Sequence, residues 1–239
     1  MLSLTMLFSV TSCGGSLKVD PEASLPTIGS LSEEGSHLPI EPPSDPEIIS
    51  SLAEKNLMDI EKYSWEREYP VEYVMIHFCS DVVANKKYPY GLNAVRRTFE
   101  TNEVSINYII ARNGDIQCWI PEQRAAWHAG KGEWKGDEKY TNLMNKYSIG
   151  IEILAIGSKN DMKPFLSSSA YNSISKSLIG YTSAQYESLI ALLNDICARW
   201  DIPKDRDHII GHSEYAGSRR TDPGELFNWD KVINGINAE

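Results

Sequence analysis

Residues 211–224 read GHSEYAGSRRTDPG and bring His212, Arg219, Arg220 and Asp222 into one short run. Imidazole nitrogens and carboxylate oxygens are the ligand types of catalytic zinc sites, which take three protein ligands and leave a fourth position open. An ordinary polar loop, with Asp222 as an Asx-turn residue before Pro223-Gly224, accounts for the same residues without a metal. His208 stands four positions before His212, but the intervening Ile-Ile-Gly reads as a strand end, where four residues span about 13 Å. Zinc holds each nitrogen at about 2.0–2.1 Å, so only one of the pair can serve a given ion. His212, at the end of the strand, is the better placed, and His208 is read as facing core or solvent.

A second candidate lies far upstream. His77 interrupts the apolar run VEYVMIHFC, residues 71–79. Burying an imidazole without a partner costs a few kcal/mol, so it is either hydrogen-bonded or metal-bound. Cys79, two residues on and on the same strand face, is an alternative ligand.

The elements that must position these groups are legible as an α/β pattern. Val71–Cys79, Ser105–Arg112, Asp115–Ile120, Ile149–Ile156 and Asp207–Gly211 read as strands, the apolar ones buried on both faces. Asn113-Gly114 between two apolar runs predicts a hairpin, which makes the sheet mixed. Helices are expected at Leu92–Phe99 and Thr182–Trp200, the second opened by a Thr182/Gln185 capping box. Tyr186, Leu189, Ile190, Leu193, Cys197 and Trp200 fall on one face of it. The predicted fold is a single α/β domain with a mixed central sheet flanked by helices. A shorter helix is expected within 47–62, from Ile48, Ile49, Leu52, Leu57 and Ile60, as an extension of a domain spanning 47–239. The turn-forming residues of 211–224 argue against a packed helix there.

Composition bounds the rest. A net charge of −10 over 239 residues, with only isolated Arg pairs at 96–97 and 219–220, excludes the basic face of a nucleic-acid binder. No apolar run reaches the roughly 18 residues needed to span a bilayer. Residues 1–13 instead hold a short apolar stretch ending at a cysteine, placed like an export signal. Val10-Thr11-Ser12-Cys13 resembles a bacterial lipobox, which makes Cys13 the candidate lipidation site and membrane anchor; a plain secretory signal is the simpler alternative. Residues 14–46, rich in Pro, Ser and Glu, read as a flexible tether. Cys79, Cys118 and Cys197 then remain, an odd number that suggests no disulfide framework.

Four segments together resemble the zinc-dependent N-acetylmuramoyl-L-alanine amidases related to phage T7 lysozyme and the peptidoglycan recognition proteins. They are VMIHFCS (74–80), SINYIIARNGDIQCWIPEQRAAWHAG (105–130), NKYSIGIEI (145–153) and GHSEYAGSRRTDPGELFNW (211–229), in the family's order. The similarity is greatest to bacterial lipoprotein members, in keeping with Cys13. The resemblance implies a Zn2+ held by His77, His212 and Asp222, with Glu152 as catalytic carboxylate and peptidoglycan or muropeptides as substrate. A carboxylate inside an apolar strand is partly desolvated, which raises its pKa and suits it to proton transfer. His128 in Trp-His-Ala-Gly matches a motif beside the cleft and is assigned to substrate contact with Trp127. Asn107, where the family often has His, goes with them on the substrate-binding side, in a supporting or structural place.

Arg220 stands where related bacterial amidases commonly have Lys. Arginine stays protonated, so it can hold an oxyanion but not donate a proton. Trp119, Trp127 and Trp134 are expected around the cleft, and residues 131–147 as a mobile wall of it. The competing readings are a non-catalytic peptidoglycan-binding module of the same fold and a zinc peptidase acting on stem peptides. Gly14 after Cys13 lacks the Asp that retains some lipoproteins at the inner membrane, so the expected place is the outer membrane, facing the periplasm.

Overall fold

The structure is a computed structural model that describes residues 47–238. The lipobox, Cys13 and the tether lie outside the described residues.

The elements run β1 (Glu54–Lys55), α1 (Ile60–Tyr63), β2 (Ser64–Glu66), β3 (Tyr73–Cys79), α2 (Leu92–Thr101), β4 (Tyr108–Ile110), β5 (Ile116–Cys118), β6 (Arg124–Ala126), β7 (Ser148–Leu154), α3 (Ser168–Asn172), α4 (Ser183–Trp200), β8 (Ile209–Gly211), α5 (His212–Ala216) and α6 (Trp229–Ile236). Six strands form one sheet in the order β1-β5-β4-β7-β3-β8, and β2 pairs with β6 beside it. The β4–β5 pair is antiparallel and the other pairs of the large sheet are parallel, so the sheet is mixed as predicted. Gly114, at φ +93°, makes the hairpin turn between them.

Alternation along the strands assigns the two faces. Val74 and Ile76 of β3, with Ile149, Ile151 and Ile153 of β7, pack against Leu189, Leu192, Leu193 and Ile196 of α4 and Val232 and Ile236 of α6. The predicted capping box opens α4, with Thr182 accepting from the Gln185 backbone N–H and Gln185 accepting from that of Thr182. The other face carries smaller apolar clusters, among them one that joins Val95 and Phe99 of α2 to Ile109 and Trp119. His77, Cys79 and Glu152 lie on this second face by strand parity.

Three expectations are corrected. Residues 47–58 form no helix: a turn in which Ala53 N–H donates to the Ser50 carbonyl leads into β1, which adds in parallel to the outer side of β5, and Asn56 and Met58 N–H groups donate to the Cys118 and Trp119 carbonyls. Their apolar residues had helical spacing for another reason: Ile49, Ala53 and Leu57 dock on the α4 side, while Met58 and Ile60 dock on the α2 side. A helix does form in the 211–224 run, the five-residue α5 that opens with His212. Residues 131–147 are tied down rather than loose: Glu133 N–H donates to the Tyr215 carbonyl, Asn142 N–H to that of Gly132, and Trp134 is buried against Tyr73.

Candidate metal and catalytic site

β3 and β7 run side by side with His77 directly opposite Glu152. β8 pairs its last residue, Gly211, with Ile76, so the chain releases His212 next to His77. α5 then reverses the chain, and Ser213 N–H donates to the Asp222 carbonyl at 2.8 Å, returning Asp222 to the end of β8. The loop that carries Asp222 is held from outside. Asp161, itself buried, accepts from the N–H groups of Ser158 (2.8 Å) and Glu225 (3.1 Å), and Tyr181 donates to the Pro223 carbonyl at 2.6 Å.

His77 Nδ1, His212 Nδ1 and Asp222 Oδ2 form a triangle with edges of 3.0, 2.9 and 3.0 Å. The residues are 2%, 3% and 9% exposed, so water does little to screen them. His212 Nε2 lies 2.9 Å from the Ala129 carbonyl oxygen. A carbonyl only accepts, so Nε2 carries a proton, and in that single-proton tautomer the Nδ1 lone pair faces the Asp222 carboxylate. Two lone-pair atoms 3.0 Å apart in a buried site repel, and a shared cation is what stabilises them. Ligands about 2.0–2.1 Å from a tetrahedral centre stand about 3.3 Å apart, within a few tenths of the observed edges. The donor set therefore fits a zinc ion.

Electrostatics agree. Burial, and then the neighbouring His212, push the His77 pKa down to about 4, against the pull of Asp222. Burial works upward on Asp222, but His212 and His77 outweigh it and hold its carboxyl well below the usual range. The His77–Asp222 contact is an ion pair only if the ring is protonated, and the buried ring is neutral at pH 7, which leaves the carboxylate's charge for a metal.

Glu152 is 8% exposed and its Oε2 has no hydrogen-bond partner among the described residues. Burial first, and the charge of Asp222 second, raise its pKa well above the usual value, while Cys79 and Arg220 act in the opposite sense. Cys79 stays outside the triangle; burial and Glu152 raise its thiol pKa, so it remains protonated and is no ligand. The half-buried Arg220 feels the charges of both Asp222 and Glu152.

The remaining candidates are sorted by their surroundings. His128 lies behind the triangle, its Nδ1 3.0 Å from His77 Nε2. Trp127, next to it, faces the exposed Trp65 with ring centroids 5.4 Å apart. Asn107 cannot touch substrate: it is fully buried, donating to the Ile120 carbonyl at 3.1 Å and accepting from Gly150 N–H at 3.0 Å, and so stitches β4 to β7. Trp119 is core against Phe99 and Trp134 is core against Tyr73, while Trp127 is half-buried. His208 pairs with Asp205 and stacks on Tyr73, away from the triangle.

Spacing did not announce two positioning residues, Arg219 and Asn145. Arg219 donates to the carbonyls of Ala129 (2.7 Å) and Lys131 (2.8 Å), fixing the oxygen that orients His212. Asn145 Oδ1 accepts from the N–H groups of His128 (3.0 Å) and Ala129 (2.7 Å).

Fold and site together define an α/β domain that gathers a buried His-His-Asp cluster able to hold a metal ion, with an adjacent carboxylate. The N-acetylmuramoyl-L-alanine amidase family model matches residues 67–225, and the chain belongs to that family. It is 34% identical over 128 residues to the 1,6-anhydro-N-acetylmuramyl-L-alanine amidase AmpD of Enterobacter cloacae, covering 54% of each chain. It is 28% identical over 206 residues to the N-acetylmuramoyl-L-alanine amidase AmiD of Escherichia coli (strain K12), covering 80% of this chain and 65% of that one. It thus spans about half the length of the first relative and less than two thirds of the second. A crystal structure of a selenomethionine AmpD derivative shares the fold, with a TM-score of 0.56, 22% identity and coverage of 79% of this chain and 96% of that one. The complex of Escherichia coli AmiD with the substrate anhydro-N-acetylmuramic acid-L-Ala-D-gamma-Glu-L-Lys gives a TM-score of 0.53 at 27% identity, over 70% of this chain and 58% of that one.

Proposed function

We propose that this chain hydrolyses the amide between the lactyl group of N-acetylmuramic acid and L-alanine, in peptidoglycan or muropeptides, with zinc as its ion. The observation that carries this reading is the His77–His212–Asp222 triangle with Glu152 directly across the strand pair from His77. Family membership and the muropeptide bound by the AmiD relative support the substrate class. Zinc held by these three ligands supplies a Lewis acid and a water of lowered pKa, near 7.

The chain's own residues do the rest. Glu152, desolvated, with one oxygen unpartnered, accepts the proton of the attacking water and returns it to the departing L-alanine amine. Arg220, always protonated, holds the negative charge that develops on the carbonyl oxygen. Trp127 and Trp65 offer aromatic faces to the sugar side. Product analysis on a defined muropeptide, with and without chelator, tests the reading. Release of an intact peptide with a free L-alanine amine is expected; a cut within the stem peptide, or no cut by zinc-loaded protein, would overturn it.

The reading extends to an envelope enzyme anchored through a lipid on Cys13 at the outer membrane, which rests on the lipobox alone. Labelled fatty acid should enter the full chain and fail to enter Cys13→Ser.

A further inference from the structure

We propose that His128 and Ser148 are positioning residues that set the tautomer of His77, so that its Nδ1 lone pair faces the metal position. The inference rests on the metal-site reading above and concerns residues behind the ligands.

The argument follows one chain of hydrogen bonds. Ser148 has a single hydroxyl proton, and Oγ lies 2.7 Å from the Met144 carbonyl, which can only accept. That proton is therefore committed, and Ser148 Oγ can only accept from His128 Nε2, 3.3 Å away. Ser148 thus fixes the half-buried His128 ring as its Nε2–H tautomer. With its proton on Nε2, its Nδ1 is an acceptor. His77 Nε2, 3.0 Å from that Nδ1, must then be the donor, and His77 Nδ1 is left without a proton. A histidine ligand whose far nitrogen donates to a fixed acceptor is oriented and made more basic by it.

The surroundings are shaped for this ring. A Cβ on Gly150 would lie 2.6 Å from His128 Cγ, so only glycine lets the imidazole lie across β7. The His128 ring meets that of His77 edge-on, at an interplanar angle of 86°. Asn145 holds the His128 and Ala129 N–H groups together. The segment 128–129 thus governs both metal-facing rings, His77 through the His128 side chain and His212 through the Ala129 carbonyl.

Two measurements test this. In zinc-free wild-type protein, long-range 1H–15N spectra of the histidine rings should show His77 as the Nε2–H tautomer; an Nδ1–H tautomer would overturn the proposal. Zinc affinity, read by competition with a chromogenic chelator, should weaken about 10–100-fold in His128→Phe, which keeps a ring but has no acceptor. His128→Asn places an amide oxygen close to the former Nδ1 and should recover most of the loss. Wild-type affinity in His128→Phe, or equal losses in both variants, would reject the assignment. If His128→Phe fails to fold, the wild-type tautomer decides alone. Wild-type protein that takes up no zinc would instead sink the proposed function, leaving the tautomer to judge this inference separately.

Discussion

His77 and Glu152 are opposed residue for residue across the ladder between β3 and β7, so one strand pair carries both a metal-facing nitrogen and an unpartnered carboxylate oxygen. The ladder fixes their separation more rigidly than a loop could. Apart from the Cys79 thiol and the charge of Arg220, little compensates the burial of Glu152, which costs stability. Glu152→Gln should therefore keep its zinc and melt no lower than wild type, while turnover falls by roughly 10²–10⁴. Parallel melting curves and single-turnover rates at equal zinc content check this; a large drop in melting temperature would make Glu152 a structural residue.

Asp222 brings the only charge to the triangle. Asp222→Asn keeps its shape and removes that charge, so zinc affinity should fall by at least the roughly 10–100-fold that loss of a mere supporting partner costs. Atomic absorption after dialysis reads the outcome. Full zinc occupancy and wild-type turnover in the variant would show that the ion sits elsewhere.

Acid should unfold the zinc-free chain in two stages. The His77 pKa is about 4 when folded against 6.5 for an unperturbed imidazole, so the unfolded chain takes up the proton first. Its contribution to stability is complete above pH 6.5, declines as pH falls from 6.5 to about 4, and is then gone. The depressed Asp222 adds a second loss once pH falls below the usual carboxylate value near 3.8. Unfolding free energies from urea titrations with chelator present should drop through the first window by about 1.4 kcal/mol per pH unit at most, or about 3 kcal/mol in all. His77→Gln should flatten that slope, and a wild-type curve without slope would contradict the neutral-ring description.

Gly224 sits at φ +79°, and a Cβ there would come within 2.5 Å of Asp161 Oδ2, the atom that holds the Asp222 loop. Gly224→Ala combines left-handed strain with that collision. It should destabilise the fold by roughly 1–3 kcal/mol and weaken zinc binding together. Denaturant titration and chelator competition on the same preparation would show it; unchanged zinc affinity in a destabilised variant would disconnect the loop brace from the metal position.

The strands that carry the chemistry were legible because each is an apolar run interrupted by one polar residue with work to do. His77 in β3 stood out for that reason, Glu152 in β7 was named by the family resemblance, and the α4 capping box was readable from two residues. What stayed hidden acts through backbone atoms. Arg219 reaches the Ala129 carbonyl across 90 positions of chain, and Asp161 reaches Glu225 N–H across 64. No periodicity reports such contacts. Asn107, grouped with the substrate-binding side in a supporting or structural place, is structural, its amide occupied by backbone partners. Of the helix expected within 47–62 only the turn α1, from Ile60, forms, because the apolar residues before it serve two separate clusters.

The two-residue strand β1 has a bearing on handling the protein. Sequence reading makes 47–62 a mere extension of the domain, yet residues 47–58 cover the outer side of β5, and Ser50 N–H donates to the hydroxyl of the core residue Tyr108 at 2.8 Å. A version trimmed to Tyr63 would bare an unpaired β-edge and the apolar surface under Ile49 and Leu57, inviting chains to add to one another. Such a truncation should aggregate at concentrations where the longer chain stays clear, and expression boundaries are better drawn ahead of Glu47.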